Sequence, residues 1–128
     1  MAELHVELVA ADRKVWSGQA SLVIARTTSG DIGIMPGHQP LLAVLEPGAV
    51  TIRTVEEGEG GTVVAAVQGG FLSFAENKLS VLAEVAELAD EIDVARAERA
   101  LERARERADA AAERRAEVRL RAAAFSVR

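Results

Sequence analysis

The chain has 128 residues, with 15 basic and 20 acidic side chains, a net charge of −5 and no cysteine. This length permits one compact domain, or one domain with an appendage. The lack of cysteine excludes a disulfide framework, a thiolate metal cluster and a cysteine nucleophile. No uncharged apolar run approaches the roughly 20 residues of a membrane-spanning helix. The N-terminus shows no signal or transit peptide, which predicts a cytoplasmic protein.

Glycine, proline and charge divide the chain into two parts. All ten glycines and all three prolines lie between Gly18 and Gly70. Because these residues form turns and interrupt helices, the first part is predicted to be rich in turns and the second to be helical. Residues 1–86 carry 5 basic and 10 acidic side chains, net −5, whereas residues 87–128 carry 10 of each, net zero. We therefore predict two domains with these bounds.

Residues 1–86 show the patterns of short strands. Leu4, Val6 and Leu8 alternate with His5 and Glu7, which is the period of a half-buried strand. Similar runs, rich in β-branched residues, are found at 21–27, 49–55, 62–68, 71–75 and 78–82. Turn signals separate these runs, among them Ser17-Gly18, Ser29-Gly30 and a glycine-rich hairpin tip at 58–61. Strands of this length and spacing predict an antiparallel sandwich or barrel.

The second part changes to a helical period. A mostly alanine stripe recurs at spacings of three and four, at Val94, Ala97, Leu101, Ala104, Ala108 and Ala111. Asp90 is predicted to be the N-cap. No strong helix breaker lies between Asp109 and Arg115, so one long helix and a hairpin with a second helix at 117–125 are both open. Since methyl groups remove little apolar area from water, we expect a weakly docked helical arm.

Four segments resemble the epsilon subunit family of the F-type ATP synthase. They read GDIGIMPGHQPLL at 30–42, AVQGGFLSF at 66–74, VLAE at 81–84 and IDVARA at 92–97. The resemblance extends along essentially the whole chain. It implies an N-terminal antiparallel β-sandwich followed by a C-terminal α-helical hairpin, an α+β protein overall.

The resemblance also implies a function without catalysis. Members of that family form the central stalk, or rotor, together with the gamma subunit, and their sandwich lies on the c-ring. They couple rotation of a proton-translocating c-ring to the catalytic head. An extended arm reaches the catalytic alpha/beta hexamer and inhibits ATP hydrolysis. The implied location is peripheral, at the cytoplasmic face of a bacterial cell membrane, and neither a metal nor a required cofactor is implied.

Two loop residues are candidates for the interface with the c-ring or gamma. Asp31 matches the acidic residue of the family's loop that faces the c-ring, where a carboxylate would orient the contact. Its alternative interpretation is a turn residue, since Asp after Gly is common in turns. His38 matches a loop near the stalk contacts, and its alternative is a histidine that hydrogen-bonds its own proline-rich loop.

A third group of residues matches relatives whose helical domain binds ATP, which would make ATP a regulatory ligand. Arg96, Arg99 and Arg103 recur on one helix face, where guanidinium groups could bind phosphates. The match to the I-D-x-x-R-A pattern carries over as candidate ATP-binding residues Glu87, Ile92, Asp93, Arg96, Ala97, Arg103 and, from the second helix, Arg121, with Arg119 as its alternative. The alternative is a capped helix whose surface arginines, Arg99 and Arg103, pair with Glu102 and Glu106.

Other classes of function are disfavoured. The two histidines and the serines form no recognisable nucleophile and base pair. The hairpin tip at 58–61 lacks the Lys and Ser or Thr of a phosphate-binding loop. The zero net charge of the arginine-rich part argues against nucleic acid. Two rival hypotheses stay open: a stand-alone ATP sensor, and a sandwich adaptor whose tail pairs with a partner helix.

Overall fold

The computed structural model describes residues 3–55 and 61–124, so most of the predicted hairpin tip at 58–61 lies outside the described residues. The N-terminal part is made of strands, which are β1 Leu4–Ala10, β2 Lys14–Thr27, β3 Gly30–Ile34, β4 Leu41–Val44, β5 Gly48–Thr54, β6 Thr62–Val67, β7 Gly70–Ala75, β8 Lys78–Ala83 and β9 Ala86–Leu88. A 3₁₀ turn at Ala89–Glu91 leads to the helices α1 Val94–Glu106 and α2 Ala110–Ala124.

The strands form one hydrogen-bonded sheet in the order β4-β7-β8-β1-β2-β5-β6-β9, and β3 pairs with β2. All pairs are antiparallel except β1 with β8, which is parallel. A single bridge from Thr27 to Leu45 joins the end of β2 to the residue after β4. The predicted order of a β-sandwich followed by a helical hairpin is confirmed.

The core of the sandwich is almost entirely aliphatic. The alternation predicted for the first strand is confirmed, since Leu4, Val6 and Leu8 are fully buried while His5 and Glu7 are half-buried on the other face. Phe74 is the largest fully buried side chain. Burial of this apolar area, at about 25 cal/mol per Å², is the main favourable term that holds the sandwich together.

The turn predicted at Ser17-Gly18 is wrong, because β2 continues through both residues. Gly18 serves close packing instead: a Cβ atom there would lie 2.8 Å from the ring of Trp16. The indole ring therefore occupies the space that a larger residue at position 18 would need. The patterns also missed the short strands β3, β4 and β9.

The passage from sheet to helices follows a different path from the one predicted. β9 pairs with β6, so the sheet continues two residues beyond the proposed division after residue 86. Asp93, not Asp90, is the N-cap of α1, and its carboxylate accepts a hydrogen bond from the Arg96 amide at 3.0 Å. The prediction for Asp90 is wrong because the extended backbone at Ile92 separates the 3₁₀ turn from α1.

Of the two arrangements left open for the tail, the structure has the hairpin. α1 packs on α2, and α2 packs on β5 and β6. Ala97 and Ala104 of the predicted stripe are buried, but Val94, Ala108 and Ala111 are exposed, and the last two lie beyond the end of α1. Neither helix, among the residues described, is long and apolar enough to cross a lipid bilayer.

Candidate functional site

The outer surface of β4, β7 and β8 carries a cluster of exposed apolar side chains. The strand register places Val44 opposite Phe71, and Phe71 opposite Leu82. Leu42 lies on the same face of β4, and the four side chains are between 40% and 73% exposed. Together they form what we call the apolar patch. Contiguous exposed apolar side chains of this kind are typical of protein interaction surfaces.

A shallow groove of about 420 Å³ continues beyond the patch toward the start of α2. Glu84 lies between the two features, because it lines both the groove and the concave surface beside the apolar patch. Gly70 lets the chain pass close to β8, since a Cβ atom there would overlap the carbonyl oxygen of Leu82. The patch is therefore built on a tightly packed strand pair with a carboxylate at its margin.

Asp31 lies in β3, opposite Arg26 of β2, and its Oδ1 is 3.6 Å from the Arg26 Nε. The turn interpretation of Asp31 is wrong, because the turn comes earlier, at Thr28 and Ser29. That turn is closed by Thr27, whose hydroxyl donates to the Gly30 carbonyl at 2.8 Å. The Asp31 side chain is exposed beside this turn, and its ionic contact with Arg26 is also exposed.

His38 lies in the loop between β3 and β4 and is half-buried. Its Nδ1 is 2.7 Å from the carbonyl oxygen of Gln39, so the interpretation as a histidine bonded to its own loop is confirmed. The ring also meets Phe74 edge to face, with centroids 5.9 Å apart. Because β3 runs from Asp31 toward His38, the structure does not bring the two candidates together.

Three of the candidate ATP-binding residues have structural roles in the docked arm. Ile92 is buried in a cluster with Val118 and Ala122 of α2. Asp93 caps α1. Ala97 is fully buried and faces α2, so close approach of a ligand to its methyl group requires the helices to separate.

Glu87 is joined to Arg119, which the sequence offered as an alternative to Arg121 in the second helix. The Arg119 Nη2 donates to the Glu87 Oε2 at 3.1 Å, and the Nε lies 2.7 Å from Oε1. Both side chains line a groove of about 290 Å³ with Arg115 and Ala100. Arg121 lies elsewhere, in a cleft of about 470 Å³ that it shares with Arg26.

Which arginines of α2 face which groove depends on how the helix is rotated on the sheet. Arg115 and Arg119, four residues apart, lie on one side, while Arg114 and Arg121, seven apart, lie on the other. The sequence spacing predicts that Arg115 and Arg119 share one side of α2 and that Arg114 and Arg121 share another, but it does not predict which side faces Glu87.

The arginines of α1 are exposed, as predicted, but Arg99 and Arg103 do not form the predicted ion pairs. Arg96, Arg99 and Arg103 are exposed, and within residues 3–55 and 61–124 no ion pair joins Arg99 or Arg103 to Glu102 or Glu106. The alternative interpretation of a salt-bridged helix surface is wrong for those pairs. The ion pair that α1 does form links Arg105 to Glu113 of α2 at 3.1 Å.

Comparison with known proteins identifies the chain's family. A family model described as the ATP synthase delta/epsilon chain beta-sandwich domain matches residues 3–89. The ATP synthase epsilon chain of Streptomyces griseus is 78% identical over 123 residues, which cover 96% of this chain and 97% of that one. The epsilon chain of Rhodococcus opacus is 52% identical over 101 residues, 79% of this chain and 81% of that one. The chain belongs to the ATP synthase epsilon chain family.

Solved structures share the fold of this epsilon-family chain. A chain of the Euglena gracilis mitochondrial ATP synthase matches with a TM-score of 0.76 at 21% identity, covering all of this chain and 83% of that one. A chain from the central stalk and c-ring of the Tetrahymena thermophila mitochondrial enzyme matches with a TM-score of 0.55 at 21% identity, over 69% and 68% of the two chains. The family model ends one residue after β9, where the sheet ends.

The link between the sandwich and the arm of this epsilon-family chain carries its own ion pair. Arg13, after β1, donates through Nη2 to the Glu91 Oε1 at 3.0 Å, and Glu91 also accepts from the Leu88 amide at 3.1 Å. These hydrogen bonds lower the pKa of the Glu91 carboxyl and raise that of the Arg13 guanidinium. In the described part of the chain, no group of His, Asp and Glu side chains is arranged to hold a metal ion.

Proposed function

We propose that this chain is a non-catalytic rotor subunit of a proton-translocating F-type ATP synthase. In this role it binds the gamma subunit and the c-ring within the central stalk and couples rotation of the c-ring to the catalytic head. Its similarity to epsilon chains over nearly its whole length supports the proposal. It associates with the cytoplasmic face of a bacterial cell membrane through the complex.

The observation that carries the proposal is the apolar patch, which we assign to gamma. Val44, Phe71 and Leu82 lie side by side across three hydrogen-bonded strands, so their positions are fixed by the sheet. A partner that covers them gains burial energy without having to order flexible loops. The sandwich can then transmit torque as one body, because its strands are joined in a continuous ladder.

The test is assembly with gamma. Phe71→Glu places a charge at the centre of the patch and is expected to lower recovery of gamma in a pull-down from co-expressed subunits by at least about tenfold. Val94→Glu is the matched control, because Val94 is similarly exposed but lies at the start of α1. Equal recovery of gamma by the two variants would remove the patch from the proposal.

Asp31 is assigned to the c-ring contact. Its carboxylate is exposed beside the β2–β3 turn, where a basic or polar loop of another chain can reach it. Asp31→Arg reverses the charge at this point without entering the core, and we expect weaker assembly onto the c-ring. Arg53→Glu, at another exposed position of the sandwich, is the charge-reversal control.

The helical arm is assigned a regulatory role: when extended it contacts the alpha/beta hexamer and restrains ATP hydrolysis. The element boundaries define a truncation that tests this role. Truncation after Ile92 removes both helices and keeps the whole sheet with its 3₁₀ turn. The assembled complex with this truncation is expected to hydrolyse ATP faster than the complete complex. An unchanged rate in a complex of normal composition would contradict inhibition by the arm.

A further inference from the structure

The contact between the helical arm and the sheet contains little apolar area. Val118, Ala122 and Ala123 of α2 are buried in one small cluster with Val64 and Ala66 of β6 and with Ala89 and Ile92 of the link to α1. α1 packs on α2 rather than on the sheet. Because every side chain in this cluster is alanine, valine or isoleucine and none is aromatic, the hydrophobic effect alone holds the arm weakly.

Between described side chains and backbone groups, polar contacts at Arg114, Arg115 and Arg119 cross the same boundary. The Arg114 Nη1 and the Glu46 Oε2 are 4.0 Å apart, and the two side chains are 67% and 41% exposed. The Gln68 side chain donates to the Arg115 carbonyl at 3.1 Å. Arg119 and Glu87 make the closest ionic contact, at 2.7 Å, and are only 20% and 27% exposed.

The Arg119–Glu87 pair is the contact that water and salt weaken least. The Arg119 Nη2 donates to the Glu87 Oε2 at 3.1 Å, and the Nε lies 2.7 Å from Oε1 without the geometry of a hydrogen bond, so the pair combines one charged hydrogen bond with a close ionic contact. The groove around it is lined by small apolar side chains, namely Val85, Ala100, Ala112 and Ala116, and by the polar side chains of Gln68 and Arg115. Partly buried pairs are screened by salt much less than exposed pairs. Loss of one partner also leaves the other charge half-buried and unpaired.

Each partner of this pair is rigidly positioned by its own element. Glu87 lies in β9, opposite Ala66 of β6, so its backbone is part of the sheet. Arg119 lies in the middle of α2, between Val118 and Ala122, which contact the sheet. The pair therefore joins the sheet to the centre of the helix, where it opposes movement of α2 in any direction.

We infer that Glu87 and Arg119 form an ionic latch that holds the helical arm on the sandwich. Opening of the latch releases α2 from β6, and α1 leaves with it. The Arg13–Glu91 pair stays with the sandwich, because both of its residues precede α1, and it sets the pivot at Ile92 and Asp93. The inference does not depend on the proposed contacts with gamma and the c-ring.

The absence of cysteine allows a direct test in the full-length chain. Ala122→Cys places a thiol in the contact between α2 and the sheet, where Ala122 is fully buried. Its rate of reaction with dithiodipyridine, an uncharged thiol reagent, measures release of the arm. Ala20→Cys places a second reporter in the sandwich core, where Ala20 is also fully buried, and measures global unfolding instead.

The latch predicts a specific pattern of rates. Glu87→Gln and Arg119→Gln are each expected to raise the reaction rate at position 122 by about tenfold, the size expected from loss of a charged hydrogen bond. Arg114→Gln, which removes the exposed pair, is the matched control and is expected to change that rate by less than about twofold. The rate at position 20 is expected to be unchanged in all three variants.

Charge exchange separates a latch from a merely structural defect. Glu87→Arg or Arg119→Glu alone is expected to expose position 122, and the two together are expected to return the rate to near that of the unexchanged protein. Three results would each overturn the inference: equal rates for Arg114→Gln and Arg119→Gln, no recovery in the double exchange, or a fully reactive thiol at position 122 in the otherwise unchanged chain.

Discussion

Ala108 and Asp109 are adjacent in the turn that reverses the helical arm, and each completes the end of one helix. Ala108 has a left-handed backbone with φ of 53°, and its amide donates to the Arg105 carbonyl. The Asp109 amide donates to the Ala104 carbonyl at 2.9 Å, which completes a Schellman motif. The Asp109 carboxylate then accepts from the Ala112 amide and caps α2. The hairpin therefore forms without glycine.

Ala108→Gly is expected to stabilise the arm. Alanine in the left-handed region costs about 1 kcal/mol, and glycine does not have this cost. We expect the free energy of unfolding of the helices, from urea denaturation followed by circular dichroism, to rise by about 0.5–1 kcal/mol. The same substitution at Ala100, inside α1, is expected to lower it by about 1 kcal/mol. A loss of stability in Ala108→Gly would contradict the left-handed turn.

Asp93 has two proposed roles that substitution can separate. Asp93→Ser keeps a side-chain oxygen for the helix cap, whereas Asp93→Ala removes it and is expected to cost about 1 kcal/mol of stability. If Asp93 also contacts ATP, both variants lose heat in a calorimetric ATP titration of the isolated chain. If it only caps the helix, Asp93→Ser behaves as the unchanged protein does. No heat from the unchanged protein at millimolar ATP would remove the ATP-binding proposal altogether.

Gly70 and Gly30 both have positive φ, of 114° and 112°, but they differ in the space around them. A Cβ atom at Gly70 overlaps the backbone of β8, while one at Gly30 meets nothing within 4 Å. Gly30→Ala is therefore expected to cost only backbone strain, about 1–3 kcal/mol. Gly70→Ala adds a clash between two strands and is expected to cost more, with lower soluble yield. Thermal denaturation of the two variants shows which loses more stability. A larger loss in Gly30→Ala than in Gly70→Ala would contradict the close approach of β7 to β8.

The Arg13–Glu91 pair predicts a pH dependence of stability with a definite sign. Hydrogen bonds from Arg13 and the Leu88 amide hold the pKa of Glu91 below its ordinary value in the folded state. The unfolded state therefore binds the proton first, and the stabilisation is present at neutral pH and is lost as the pH falls through the ordinary pKa of a glutamate and then through the lowered pKa of the folded state. Glu91→Gln is expected to flatten this part of the stability curve. Glu98→Gln, at an exposed position of α1, is expected to keep the original slope.

Of the candidate site, only the two residues named by resemblance came from the sequence, and their role in an interface stays a prediction. Asp31 and His38 were named from their segments, and both lie in or beside β3 with accessible or half-buried side chains. The patch was not predicted, because Val44, Phe71 and Leu82 come from three separate strands. Exposed and buried positions of a short apolar strand look alike in the sequence until its partner strands are known.

The sequence by itself determined the two kinds of structure and their order. Alternating β-branched residues favour a half-buried sheet, and an alanine stripe at helical spacing favours helices that touch closely, since these periods follow from backbone geometry alone. Tertiary structure decided what depends on distant neighbours. Gly18 lies inside a strand because the Trp16 ring covers it, and Glu87 meets Arg119 rather than Arg121 because apolar contacts with β6 set the rotation of α2. Such contacts join residues far apart in the chain, so no local period encodes them.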